Sequence, residues 1–475
     1  METKKLPLFF NLLLVLMLSG QAAERPNVIL AMADDQGWGD MGYMGHKVLK
    51  TPVFDEMAKT GLRFDRFYAA APVCSPTRAS VLTGRHPNRM GCFQWGHTMR
   101  KHEITLAESL KNSGYATGHF GKWHLGSVRA GSEVAPGKNG FDEWISAPNF
   151  YENNPLFSHN GKVIETEGES SAVTVDLALE WMAKVKEKPF LSVIWFGNPH
   201  LPHVGTEKFV KSYGNENKAY ANFYAEITAM DAAMGRLRQG IRKLGIADNT
   251  ILWYCSDNGG LKPNSMAGLS GKKGKLLEGG IRVPGIIEWP AVIRENRITQ
   301  VPANTVDIYP TILELSGVKQ PAGQPILDGV SLAELIHGRN FTRQKPMGFW
   351  SYPARGRAMH ARQLLEQLRN AQQSGSLPAA EKAGFVDKQY PTDQFPGPSA
   401  WISGQWKLHR ETSNKGTKAY RLFNLAEDMK EEHDLSGKEP MRLKRMKAEL
   451  VNWQKSVIKS LNGADYPRRK KNKAP

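Results

Sequence analysis

The chain has few cysteines, no long apolar run beyond its first twenty or so residues, and no internal repeat. Three cysteines in 475 residues, Cys74, Cys92 and Cys255, exclude a disulfide framework and leave at least one thiol unpaired, with Cys74 the candidate. Without a second apolar stretch of about 20 residues, nothing after the N-terminus is suited to hold the chain in a bilayer. The lysine-rich stretch GKKGKLLEGGIRVPG lacks both the spacing and the hydroxyl residue of a phosphate-cradling P-loop. Disorder is excluded as well: with 40% hydrophobic and 23% charged residues the composition is globular, and the length suits a large domain beside a smaller one.

At the N-terminus stand Lys4 and Lys5, an apolar run over residues 6–18 and small residues over 19–23. This pattern predicts a signal peptide at 1–23, cleaved near Ala22 or Ala23, hence an exported chain, periplasmic or secreted, with no stable membrane insertion. The net charge is +17, to which Lys4, Lys5 and the tail RRKKNK contribute only part. A cationic body favours an acidic partner such as nucleic acid or a sulfated polysaccharide, and export weighs against nucleic acid.

Apolar runs rich in β-branched and aromatic residues lie at 27–33, 115–123, 190–197, 250–256 and 285–290, separated by helical spacing at 51–60, 105–112, 172–187 and 218–244. The alternation predicts an α/β fold with a large, mostly parallel central sheet covered by helices on both faces. Beyond Gly317 the character changes. A basic amphipathic helix is expected at 361–372, two alternating strands at 400–411 and 418–428, and a last helix near 438–460. The expected division is therefore a main domain over 24–344, a smaller antiparallel sheet with its helix over 345–462, and a basic tail over 463–475.

Asp34 and Asp35 close the first apolar run, and Asp257 and Asn258 close the fourth, each pair with glycines behind it. Ligand groups gather outside the carboxyl ends of strands in open sheets, so these two ends can meet around one hard cation, calcium better than magnesium. Helix or turn caps are the alternative for the acids. Lys122 and His124 share one face of a strand end, suited to an anion and to proton transfer, although a surface lysine and a packed histidine read equally well. His200 and His203 stand in a proline-stiffened loop, and Lys272, Lys273 and Lys275 in a glycine-rich one; each can equally be solvated or satisfy a loop hydrogen bond. In CSPTRASVLTG, Pro76 suits the first turn of a helix that stops at Gly84. Cys74 then lies at the helix N-terminus, where anions are stabilised, with Arg78 on its face. A buried structural cysteine is the plainer reading.

Taken together, CSPTRASVLTG, GKWHLG, DNGG and EGGIRVP, in that order, resemble the type I sulfatases of the alkaline-phosphatase-like superfamily, from about Pro26 to the C-terminal strands. The resemblance implies a sulfuric ester hydrolase acting on a sulfated carbohydrate or related ester. Cys74 would be the precursor of Cα-formylglycine (3-oxoalanine), made by a maturation enzyme, whose hydrate attacks sulfur. Asp34, Asp35, Asp257 and Asn258 would hold one calcium ion, with Asp257 a possible acceptor of the nucleophile's proton. Arg78 and Lys122 would hold the formylglycine, and His124 would deprotonate its second hydroxyl so that sulfate is eliminated. His200 and Lys273 would bind sulfate and protonate the departing alcohol, while His203, Lys272 and Lys275 would meet sugar. A phosphate or phosphonate ester hydrolase of the same superfamily and a non-catalytic binder of sulfated glycans are the alternatives. Residues 350–400, with Arg355, Arg357 and Arg362, depart from the shorter form expected of the family, as a substrate wall or a surface excursion.

Overall fold

The computed structural model describes residues 25–412 and 418–467; the signal peptide expected at 1–23 and most of the basic tail lie outside the described residues. An unbroken apolar strand has no side to offer water, and β1 (Asn27–Ala33) is buried along its whole length in the middle of the larger sheet. The sheet also holds β2 (Leu62–Tyr68), β3 (Ala116–Lys122), β4 (Glu143–Ala147), β5 (Leu156–His159) and β6 (Lys162–Glu165). β7 (Phe190–Trp195), β8 (Thr250–Ser256), β9 (Arg282–Glu288), β10 (Arg297–Thr299) and β11 (Ala303–Asn304) complete it. The order is β10-β2-β9-β8-β1-β7-β3-β4-β5-β6, with β11 also on β2.

β1 pairs in parallel with β7 and β8, and β3 with β7 and β4, as the alternation of strands and helices predicts. Helices Pro52–Thr60, Ser170–Val185 and Lys218–Lys243 pack against one another as one group, and Cys74–Thr83, Leu106–Lys111 and Ile308–Leu315 as another. Two features differ from the sequence reading. β2, LRFDRFY, joins the sheet although its charged residues hide the apolar pattern. β9 begins at Arg282 and runs antiparallel between β8 and β2, because the segment from β8 contains no crossover helix that could carry the chain back.

A separate antiparallel sheet follows, β12 (Met347–Trp350), β13 (Ser399–Ser403), β14 (Trp406–Thr412) and β15 (Lys418–Asn424) in that order, with helix Pro440–Leu461 packed on it. The two sheets are joined by buried charge. Lys407 on β14 donates to Glu278 at 2.8 Å and pairs with Glu431 at 3.0 Å, all three side chains being inaccessible to solvent. Tyr68 Oη donates to the same Glu278 carboxylate at 3.0 Å, and Glu431 accepts the Glu278 backbone N–H at 2.7 Å.

That anchorage fixes a loop the site depends on. A Cβ on Gly259 would lie 2.0 Å from the Gly279 carbonyl oxygen, and one on Gly280 2.0 Å from that of Lys275, so only glycine lets these backbones pack in contact. The Lys273 N–H then donates to Gly260 O at 3.0 Å and the Gly274 N–H to Pro72 O at 2.9 Å, setting the lysine loop across the strand ends.

Lys407→Met removes the cation shared by two buried carboxylates, leaving Glu278 to Arg282 and Glu431 to His409, and should cost about 3–5 kcal/mol in denaturant unfolding. Lys444→Met, at an exposed position of the last helix, should stay within about 0.5 kcal/mol.

Candidate active site

The register Ala33↔Ser256 between β1 and β8 brings the residues that follow, Asp34 and Asp257, side by side at the carboxyl end of the sheet. Asp35 then takes the left-handed conformation, φ 68°, which turns the chain so that both neighbouring carboxylates serve one centre. Asp34, Asp35, Asp257 and Asn258 are all buried, and the Asp35 N–H donates to Asp257 Oδ1 at 3.1 Å.

Three cations from three different elements face these acids. Lys122, the last residue of β3, donates to Asp34 Oδ2 at 2.6 Å. Arg78 donates through Nη2 to Asp257 Oδ2 at 2.7 Å, lies 3.6 Å from Asp34 Oδ1, and donates through Nη1 to the Lys122 carbonyl at 3.1 Å. Lys273 spans both Asp35 oxygens at 2.6 and 2.7 Å, while Asn258 Nδ2 donates to Asp35 Oδ1 at 2.9 Å. Burial and the adjacent Asp34 charge push the Asp257 carboxyl up to about 6, against the pull of Arg78 and Lys122. Asp35 moves the other way: burial alone would raise it, but Lys273 and His200 hold it well below the usual carboxylate range.

Cys74 opens helix Cys74–Thr83, every residue of which is buried, and the helix ends at Gly84 with φ 68°, as its sequence predicts. A ligand atom from each of Cys74, Asp34, Asp35 and His200 lies within 4.8 Å of the others. Burial pushes the Cys74 thiol up to about 12, and the nearby Lys122 and Lys273 do not offset it. The expected stabilisation of an anion at this helix end therefore does not extend to a thiolate.

His124 follows β3 in the left-handed conformation, φ 52°, with both ring nitrogens buried and without a hydrogen-bond partner among the described residues. Burial, then the charges of Lys122 and Arg78, keep it neutral. A buried imidazole with two unpaired nitrogens is rare unless a reacting group completes it. His200 stacks on Phe150 at a centroid distance of 4.2 Å, its Nε2 3.7 Å from Asp35, and burial lowers it to about 4.

Asp34 Oδ1 and Asn258 Oδ1 are buried acceptors without a donor. Beside the Asp35 carboxylate they form an all-oxygen donor set, and that chemistry fits a hard divalent cation.

Not every candidate joins the cluster. His203 pairs instead with Glu226 at 3.2 Å and packs on Phe223, because the loop that carries it turns back onto helix Lys218–Lys243. Lys272 and Lys275 are exposed on either side of Lys273. Two neighbours escaped the sequence reading: Phe150, behind His200, lies in a loop without a motif, and Trp195, whose ring lies 5.1 Å from the Arg78 guanidinium, ends an apolar run that reads only as core.

Residues 26–318 match the family model described as Sulfatase. The chain is 32% identical to N-acetylgalactosamine-6-sulfatase of Sus scrofa over 381 residues, 70% of each protein. It is 31% identical to the ulvan-active sulfatase of Formosa agariphila over 341 residues, 66% of this chain and 65% of that protein. Among solved structures it resembles Ps i-CgsB in complex with k-i-k-neocarrahexaose, with a TM-score of 0.75, 25% identity, and coverage of 91% of this chain and 93% of that one. Since the matched segment supplies every side chain of the clustered centre, the chain belongs to the sulfatase family and is a sulfuric ester hydrolase.

Proposed function

We propose that the protein removes sulfate from a sulfated carbohydrate, using Cα-formylglycine made from Cys74 and one calcium ion held by Asp34, Asp35, Asp257 and Asn258. The observation that carries this reading is the contrast at position 74: a thiol pushed up to about 12 stands within reach of a dense ionic centre. A neutral thiol is a poor nucleophile there, so conversion by a maturation enzyme gives the position its chemistry. The hydrated aldehyde would supply the attacking oxygen, and a cation held by Asp34, Asp35, Asp257 and Asn258 would supply positive charge for a sulfate oxygen and for deprotonation of that hydroxyl.

The chain's own groups divide the remaining work. Arg78 and Lys122, fixed by Asp257 and Asp34, orient position 74 and restrict the directions its hydroxyls can point. His124, neutral and unpaired at both nitrogens, accepts a proton from position 74. His200 and Lys273, on the Asp35 side, bind the sulfate group and return a proton to the departing alcohol. Relatives named for N-acetylgalactosamine 6-sulfate and ulvan, and a structural neighbour holding a neocarrahexaose, support a carbohydrate substrate. Export through the 1–23 leader accords with a polysaccharide met outside the cell, and no described helix is long and apolar enough to cross a membrane.

Mass spectrometry of the peptide covering 71–85 should show the aldehyde or its hydrate in active protein; unmodified thiol alone in active protein overturns the assignment. Cys74→Ala should abolish aryl sulfate turnover and leave the thermal unfolding midpoint near that of the parent. His124→Ala should lower kcat by about 10²–10⁴-fold, the range for a lost general base. Chelation should remove activity, and calcium should restore it more fully than magnesium. Aryl phosphate offered beside aryl sulfate should be turned over more slowly, and a clear phosphate preference would overturn the sulfatase assignment.

A further inference from the structure

The excursion between β12 and β13 is hydrogen-bonded to two segments that border the ionic centre. On the first, Ser75, next to Cys74, accepts a hydrogen bond from the Gly96 N–H at 2.8 Å. The loop that carries Gly96 binds the excursion in turn: the Arg357 N–H donates to Trp95 O at 2.9 Å, and His97 Nε2 lies 3.0 Å from Arg355 O. On the second side, Asn149 Nδ2 donates to Met359 O at 2.8 Å, and the residue after it, Phe150, is the one stacked on His200. Residues 355–359 therefore run between the nucleophile helix and the His200 wall.

Beside this segment opens a cleft of about 540 Å³. Its size falls within the roughly 300–1,000 Å³ of small-molecule sites. Its aromatic lining is Phe93, Tyr352, Phe385 and Tyr390, all partly exposed, with the first two stacked at 4.5 Å. Arg355, Arg357 and Lys388 stand exposed around it, and none of the three has a carboxylate partner among the described residues. Lys388 lies 4.7 Å from the Tyr390 ring centre, and Asp387 is the one acid of the lining.

Scattered surface cations are commonly solvated, but these converge on a concave, aromatic surface, one wall of which, His97, follows the Gly96 that is hydrogen-bonded to the neighbour of Cys74. Flat aromatic faces receive the apolar faces of sugar rings, and guanidinium groups fork onto sulfate or carboxylate oxygens. We infer that this cleft binds a second anionic sugar unit of the same glycan chain whose sulfate is hydrolysed, with Arg355, Arg357 and Lys388 reading its charge. The inference rests on the sulfated-carbohydrate reading above. It makes the preferred substrate an oligosaccharide with charge on at least two units.

Calorimetric titration of full-length Cys74→Ala protein with a heparin-derived hexasaccharide tests the cleft without depending on turnover. Adding Arg355→Ala and Arg357→Ala should weaken binding by about tenfold or more, the scale of a lost charge-assisted contact. Lys388→Gln should weaken it in the same direction, and neutral cellohexaose should bind far less tightly than the heparin fragment. Lys444→Ala with Lys447→Ala, in the first half of the last helix where Lys447 lies over Tyr420 of β15, should leave the Kd unchanged. An unchanged Kd in the arginine variant, an equal loss in the last-helix pair, or no binding at all would overturn the inference. Aryl sulfate turnover by the parent protein, measured alongside, decides the hydrolase reading separately, because its absence leaves the calorimetric comparison intact.

Discussion

Everything about this molecule follows from placing three carboxylates, Asp34, Asp35 and Asp257, together in a region with almost no solvent. Each acid repels the others, and burial disfavours charge on all of them. The rise of Asp257 to about 6 is the residue of that conflict. The fold resolves it by bringing one cation from each of three separate elements: Arg78 from helix Cys74–Thr83, Lys122 from the end of β3 and Lys273 from a loop near β9. Parallel pairing of β1, β7, β8 and β3 makes this possible, because it puts the carboxyl ends of all four strands at one edge of the sheet.

Lys273 is the cation with the longest structural reach. Its loop is held by backbone contacts that only Gly259 and Gly280 permit, and the segment after it is gripped by the second sheet through Glu278, Lys407 and Glu431. The small antiparallel sheet is thereby part of the apparatus that positions a lysine at the centre. Lys407 bridges two buried acids, with Arg282 and His409 completing the pairing, so that sheet cannot shift without pulling buried charges apart.

What was legible in the sequence was whatever rests on local pattern. Unbroken apolar runs revealed β1, β3, β7 and β8, and the pairs at 34–35 and 257–258 stood out because polar residues at a buried strand's end need a reason. β2 was hidden because Arg63, Asp65 and Arg66 interrupt its apolar residues; two of these, Arg63 and Asp65, form an ion pair with each other. The antiparallel course of β9 depends on a connection rather than on its own residues. His200 and His203 read identically as loop histidines, and only the direction of the chain after Pro202 sends one to Asp35 and the other to Glu226. Phe150 and Trp195 were invisible as neighbours of the cluster, since an aromatic ring behind a polar site residue has the same sequence signature as one in a core.

Charge counting explains why such a centre needs more than the chain provides. Arg78, Lys122 and Lys273 balance Asp34, Asp35 and Asp257, so as it stands the cluster is close to neutral and offers a sulfate ester little net attraction. The Asp34 and Asn258 oxygens that accept no hydrogen bond are where, on the proposed reading, a divalent cation would add the missing positive charge. The overall excess of +17 must accordingly lie elsewhere, on the surface and in the terminal segments, and part of it is the arginine-bearing rim at 355–362. Surface charge of that kind acts over about a Debye length, roughly 8–10 Å at physiological salt. On the proposed reading it would draw a polyanion to the rim and orient it there, while the buried centre, balanced until a cation joins it, would discriminate at contact distance.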